Sequence, residues 1–139
     1  MPFKLGKQSK INLVGVSPRM VAVVELALTI CPVDFKVIEG LRKYIRQVEL
    51  FKAKKSKTMK SKHLKQKDGY SHAVDIIPCT LDPWNDKDGF EHIRRAMFGA
   101  AKQLGVSIRY GADWDRDGKT AAEGDKDEKF VDKPHWELY

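Results

Sequence analysis

The chemistry open to this chain rests on few residues. There are four histidines, His63, His72, His92 and His135. Three of them flank predicted strands alongside carboxylates, whereas His92 falls within a predicted amphipathic helix and reads as structural or solvated. The stretch "SKHLKQKDGYSHAVDIIP" holds two of the three. In it Asp75 lies inside the apolar run "AVDIIP", and burying a carboxylate there is costly unless something charged or hydrogen-bonding compensates it. A lysine of the neighbouring run, a hydrogen-bonding side chain or a metal ion would each serve. A catalytic zinc takes three N, O or S protein ligands and keeps a fourth position open for water. Two histidines and one carboxylate meet that requirement.

Strand geometry sorts the candidates. If "HAVD" is extended, Ala73 and Asp75 project to one side, and His72 and Val74 to the other. His72 and Asp75 therefore do not converge on one ion. His63 precedes the strand on a loop and is free to come over the face that Asp75 occupies. His135, in "DKPHWEL", would arrive with the last strand, and Asp132, three residues earlier, would stand close enough to act on a water at the metal. For a lone His–Asp pair an ordinary structural contact is the commoner explanation. In "DWDRDG", Asp113, Asp115 and Asp117 followed by Gly118 have the spacing of the first half of a calcium loop. The glutamate expected at the twelfth position is replaced by Gly124, so a plain acidic turn is the competing reading.

The elements that must position these groups follow from periodicity. "SPRMVAVVELALTIC" reads as a helix with Ser17 as N-cap and Pro18 at its first position, stopped by Pro32. "VDFKVIEG" alternates and predicts a strand ending at Gly40. "LRKYIRQVELFKAK" is helical, and the eight lysines from Lys52 to Lys67 mark a solvated loop or frayed helix end. "HAVDIIP" is the next strand, "DKDGFEHIRRAMFGAAKQLG" an amphipathic helix closed by Gly105, "VSIRYGAD" a third strand, and "FVDKPHWELY" the last. This order predicts an α+β domain with a small, mainly antiparallel sheet flanked by about three helices.

At 139 residues the chain is expected to be one domain, with no separate binding module. The formal charge of +7 implies attraction to polyanions: nucleic acid, an anionic membrane surface or cell-wall polymer. The lysine run has no interleaved aromatics for base stacking, which argues against nucleic acid; a solvated basic face or attraction to cell-wall polymer remain. Cys31 and Cys79 are too few for a disulfide framework, and each reads as a small buried apolar residue in a reducing compartment. The most apolar run, "MVAVVELALTICPV", is too short to span a bilayer, and no export signal is evident. A soluble protein without membrane insertion is expected.

"SKHLKQKDGYSHAVDIIP", followed far downstream by "DKPHWEL", resembles the paired metal motifs of the VanY/D-Ala-D-Ala carboxypeptidase-like metallopeptidases. There a Ser-x-His segment precedes a Gly-x-Ala-x-Asp strand, and an acid-x-x-His segment closes the site. More narrowly, the chain is similar to phage endolysins of this group that act as L-alanyl-D-glutamate peptidases. "GVSPRMVAVVELALTICPVDFKVIEGLR", "RQVELFKAKKSKTMKSKHL" and "LGVSIRYGADWDRDG" extend the likeness over nearly the whole chain. The resemblance implies a DD-peptidase/hedgehog-like fold and a zinc ion held by His63, Asp75 and His135. It further implies Asp132 as general base and Arg42, in "EGLR", as the arginine over the substrate carbonyl. A guanidinium suits that place because it is always charged and donates two bonds at once.

One departure is specific to this chain. Twelve positions separate His63 from Asp75, more than is usual in these endolysins, and Ser71 stands where a glycine is usual. The extra residues fall in "KQKDGYS" and leave His72 as the alternative to His63. The function implied is zinc-dependent cleavage of the L-alanyl-D-glutamate bond in bacterial peptidoglycan by a monomer. It would accumulate in the host cytoplasm and reach the wall after a holin permeabilises the membrane. A D-Ala-D-Ala carboxypeptidase is the alternative within the same chemistry, and a non-catalytic basic wall- or nucleic-acid-binding module the alternative outside it.

Overall fold

Strand alternation divides the molecule into an apolar layer and a polar face. The computed structural model describes residues 2–54, 61–111 and 133–139. Its strands β1 (Phe35–Glu39), β2 (Ala73–Pro78), β3 (Ile108–Tyr110) and β4 (His135–Leu138) form one antiparallel sheet, ordered β1-β2-β4-β3. Helices α1 (Lys7–Asn12), α2 (Pro18–Ile30), α3 (Tyr44–Lys52) and α4 (Lys87–Leu104) accompany it, with a 3-10 turn at Pro83–Asn85. The α+β class and the antiparallel sheet are as the sequence predicts.

Helices α2 and α4 pack together over one side of the sheet. The core is built from Met20, Val23, Val24, Ala27 and Leu28 of α2, from Ile93, Met97 and three alanines of α4, and from the inward strand residues. Phe35, Val37, Val74, Ile76, Ile108, Tyr110, Trp136 and Leu138 are the strand contributions. Trp136, fully buried, stacks on Tyr110 at 4.3 Å and meets Phe98 edge-on at 5.1 Å. Each fully buried Val or Leu in such a layer contributes roughly 1.5–3 kcal/mol. That apolar layer fixes which side chains of β2 and β4 must face away from it.

The helix ends match their chemistry at α4. Asp86 accepts a hydrogen bond from the Gly89 amide at 2.9 Å, and Gly105 closes the helix in the left-handed region at φ +68°. At α2, Pro18 takes the first position as expected, but the Ser17 hydroxyl makes no capping bond. The Ser17 amide instead donates to the Ser71 carbonyl at 2.9 Å, tying the helix start to the segment before β2. Cys31 is buried as expected, whereas Cys79 is exposed because β2 ends at Pro78 and Cys79 falls just beyond it.

Helix α1 is the element that periodicity does not reveal. Its sequence "KQSKIN" is polar and buries only Ser9. Its role explains it: β1 is an edge strand, and an unpaired edge invites further strand pairing. The Val37 amide donates to Ser9 Oγ at 3.0 Å, and Asn12 Nδ2 donates to the Val37 carbonyl at 2.8 Å. Two side chains of α1 thus satisfy the outward amide and carbonyl of Val37 at the middle of β1. Among the described residues no helix is long and apolar enough to cross a membrane.

Candidate metal centre

Opposite the core, the sheet presents polar groups in register. Asp75 stands directly across from His135, and Glu137 lies between Ala73 on β2 and Arg109 on β3. Because side chains alternate, Asp75, His135, Glu137 and Arg109 share one face while Val74 and Trp136 point into the core. His135 Nδ1 is 3.3 Å from Asp75 Oδ1, and His63 Nε2, arriving from the preceding loop, is 3.1 Å from the same oxygen. The potential ligand atoms of His63, Asp75 and His135 all lie within 4.8 Å of one another, and both imidazoles are buried. The three residues singled out as ligands are therefore brought together, and His72 is not among them.

His63 is placed by backbone. Its amide donates to Ser61 Oγ at 3.1 Å, its carbonyl accepts from the Arg42 amide at 2.8 Å, and its Nδ1 lies 2.8 Å from the Gly40 carbonyl. Gly40 can hold that carbonyl there only because it lacks a side chain. A Cβ at this position would overlap the Asn12 carbonyl oxygen and crowd Val16 at 2.7 Å. Backbone does not yield as a side-chain tip does, so Gly40→Ala is expected to destabilise the fold by about 1–3 kcal/mol. Thermal unfolding measures this, and an unchanged midpoint would refute the close approach.

The hydrogen bonds also decide what the site can hold. A carbonyl accepts and cannot donate, so Nδ1 of a neutral His63 carries the proton and Nε2 turns a lone pair towards Asp75. At His135 the outer nitrogen, Nε2, faces Glu137 Oε1 at 2.9 Å. Burial works against the charge on Glu137, but His135 and Arg109 overcome it and hold its acidity below the ordinary value. An ionised Glu137 accepts a hydrogen bond from Nε2–H, which in a neutral ring leaves Nδ1 as a second lone pair aimed at Asp75. Burial likewise opposes charge on Asp75, and protonated His135 and His63 rings, or a cation in place of their protons, hold the carboxyl ionised. With both rings neutral, two nitrogen lone pairs and a carboxylate converge, and a cation at their centre resolves what is otherwise acceptor against acceptor. The donor set of two nitrogens and one oxygen fits zinc.

The segment between His63 and Asp75 forms a turn of its own. The Gln66 amide donates to the Tyr70 carbonyl at 2.8 Å, the Gly69 amide returns to Gln66 at 2.9 Å, and Gly69 takes φ +89°. His72 Nε2 pairs with Asp68 Oδ2 at 2.7 Å on this hairpin. The extra residues are thus accommodated outside the site, as a surface loop is at little cost. His92 sits on α4, which packs against the other side of the sheet.

Arg42 lies beside the centre but is gripped by its neighbours. Nε and Nη2 donate to the two oxygens of Glu39, each at 2.7 Å, and Nη1 donates to Gln47 Oε1 at 2.7 Å. Glu39 can do this because the β1–β2 register shifts between Val37 and Glu39, setting Glu39 across from Asp75. Such a bulge re-aims a side chain that alternation would have sent to the core. Among the described residues these bonds occupy three of the five guanidinium N–H groups.

The family of phage L-alanyl-D-glutamate peptidases matches the chain over residues 1–139. The chain belongs to that family. The L-alanyl-D-glutamate peptidase of Escherichia phage T5 is 33% identical to it over 124 residues, which is 85% of this chain and 86% of that protein. Among solved structures, the Serratia marcescens L-Ala D-Glu endopeptidase ChiX aligns with a TM-score of 0.73 at 30% identity. That alignment covers 99% of this chain and 91% of the other. The present chain is a peptidoglycan endopeptidase of this group.

In this peptidase Asp132 and the acidic series Asp113, Asp115 and Asp117 lie outside the described residues. Four residues around the centre were not evident from the sequence: Glu39, Gly40, Gln47 and Glu137. Glu137 had a signal, since His-x-Glu in a strand places both side chains on one face. Gln47, the one fully buried residue of its helix, had none.

Proposed function

We propose that the peptidase is zinc-dependent and hydrolyses the bond between L-alanine and D-glutamate in the peptidoglycan stem peptide. The observation that carries the zinc reading is the convergence of His63 Nε2, His135 Nδ1 and Asp75 Oδ1. A zinc ion held by these three residues would supply Lewis acidity and lower the pKa of a bound water towards neutrality. The chain's own residues do the rest. His63 and His135 are each held in one tautomer, by Gly40 and Glu137, so their lone pairs are preset. Asp132 would take the proton of the attacking water and return it to the leaving amine. Arg42, steadied by Glu39 and Gln47, would offer its remaining N–H groups to the developing oxyanion; one such donor is typically worth about 3–4 kcal/mol. The net positive charge favours approach to an anionic wall polymer. The protein would be released from the bacterial cytoplasm after membrane permeabilisation, a route supported by its kinship with phage peptidases.

Digestion of purified peptidoglycan followed by mass spectrometry tests this reading. Fragments with a new N-terminal D-glutamate are expected, and treatment with a zinc chelator is expected to abolish their formation until zinc is restored. Release of D-alanine would point to the carboxypeptidase instead, and no cleavage by zinc-loaded protein would overturn both.

A further inference from the structure

We infer that Glu137 is a positioning residue of the metal centre: braced by Arg109, it holds the His135 ring so that Nδ1 faces the ion, and it thereby sets metal affinity. The inference rests on the zinc reading above. Glu137 is among the most buried charged residues described, at 5% exposure, and a carboxylate is placed so only when both oxygens are engaged. Both are. Oε1 is 2.9 Å from His135 Nε2, and Oε2 accepts from Arg109 Nη2 at 2.8 Å. The arrangement follows from register, because Glu137 is two residues beyond His135 on β4 and opposite Arg109 on β3. Arg109 is itself seated over the Tyr139 ring at 5.5 Å.

The need for such a group lies in the imidazole itself. The terminal torsion of histidine is broad and roughly two-fold. A half-turn of the His135 ring would exchange Nδ1 for a carbon and leave the centre with two ligands. Glu137 favours one of these orientations, since only that one gives Nε2–H an acceptor. Accepting that proton also makes Nδ1 a better donor to a cation. Partners of this kind are worth about 10–100-fold in metal affinity.

The experiment measures zinc affinity of the full chain by competition with a chromophoric chelator, alongside circular dichroism and thermal melts. A folded Glu137→Ala variant is expected to bind zinc about 10–100-fold more weakly than wild type. Its activity should recover substantially when zinc is raised to saturation. Glu137→Gln, close in shape and able to offer a carbonyl oxygen to Nε2–H, is expected to fall between the two and keeps the test available if the alanine variant does not fold. Cobalt substitution adds a second readout, with an altered visible spectrum expected for Glu137→Ala. A purely structural role would lower the melting point and leave zinc affinity within twofold of wild type, which would overturn the inference. Failure of the wild-type protein itself to bind zinc would instead overturn the zinc reading on which it rests.

Discussion

His63→Ala is expected to lose stoichiometric zinc and peptidoglycan hydrolysis together. Outer partners of a metal-bound histidine are worth about 10–100-fold in affinity, so removing a direct ligand should exceed ~100-fold. The remaining pair, His135 and Asp75, leaves the ion two-coordinate from the protein. His63 is also buried at 2% exposure, and its loss abandons the Gly40 carbonyl in a part-apolar setting. An unsatisfied buried acceptor costs about 1–3 kcal/mol, so the metal-free variant should also melt lower. His72→Ala is the matched control. Its ring pairs with Asp68 on the hairpin rather than facing Asp75, so zinc content and activity should stay at wild-type levels. Metal analysis by mass spectrometry and a turbidity assay on cell walls read both. Wild-type zinc content in His63→Ala, or loss of zinc in His72→Ala, would reverse the ligand assignment.

That His72 does not face Asp75 was legible from the period of the strand, whereas His63 was placed there only by its freedom on the preceding loop and by the family resemblance. The alternation of "HAVDIIP" separates His72 from Asp75, and the structure keeps them apart: Asp75 meets His63 and His135 while His72 pairs with Asp68. Helices α2 and α4 were legible for a similar reason, since their apolar residues recur at the helical spacing and the core they build is what selects that spacing. What stayed hidden depends on contacts between distant segments. Helix α1 has almost no apolar face, because it caps a strand edge through Ser9 and Asn12 instead of packing into the core. The bulge in β1 reverses the side of Glu39, and nothing in "FKVIE" announces it. Gln47 looks like any polar helix residue until Arg42 is found beside it. A ligand set can thus be read from residue types and parity, whereas the groups that orient the ligands come from register and tight approach between strands.

The hidden contacts share one consequence. Glu39 holds Arg42, Gly40 holds the His63 ring and Glu137 holds that of His135, so each of these proposed site groups is restrained by a second residue. Glu39 ends β1 and Gly40 follows it directly, so both adjoin the strand that α1 ties down at Val37. Preorganised donors act without reorganising during the reaction, which is where most electrostatic catalysis arises.

Asp132→Asn is expected to separate chemistry from binding. The variant should carry full zinc and melt as the wild type does, while its turnover falls by about 10²–10⁴-fold. Asparagine has nearly the shape of aspartate but cannot accept a proton from the attacking water. The three proposed ligands are elsewhere, so metal content has no reason to change. Asp132 is three residues from His135, a separation of at most ~11 Å along an extended chain. The following segment is anchored, since the Ile76 amide donates to the Pro134 carbonyl at 2.9 Å. The chain thus limits how far Asp132 can lie from His135, as a base for a water at the proposed metal requires. The contrast with His63→Ala is the decisive feature: one variant should lose zinc and activity, the other activity alone. Near-wild-type turnover in Asp132→Asn would assign the base to another group. Joint loss of zinc and turnover would instead make Asp132 a ligand.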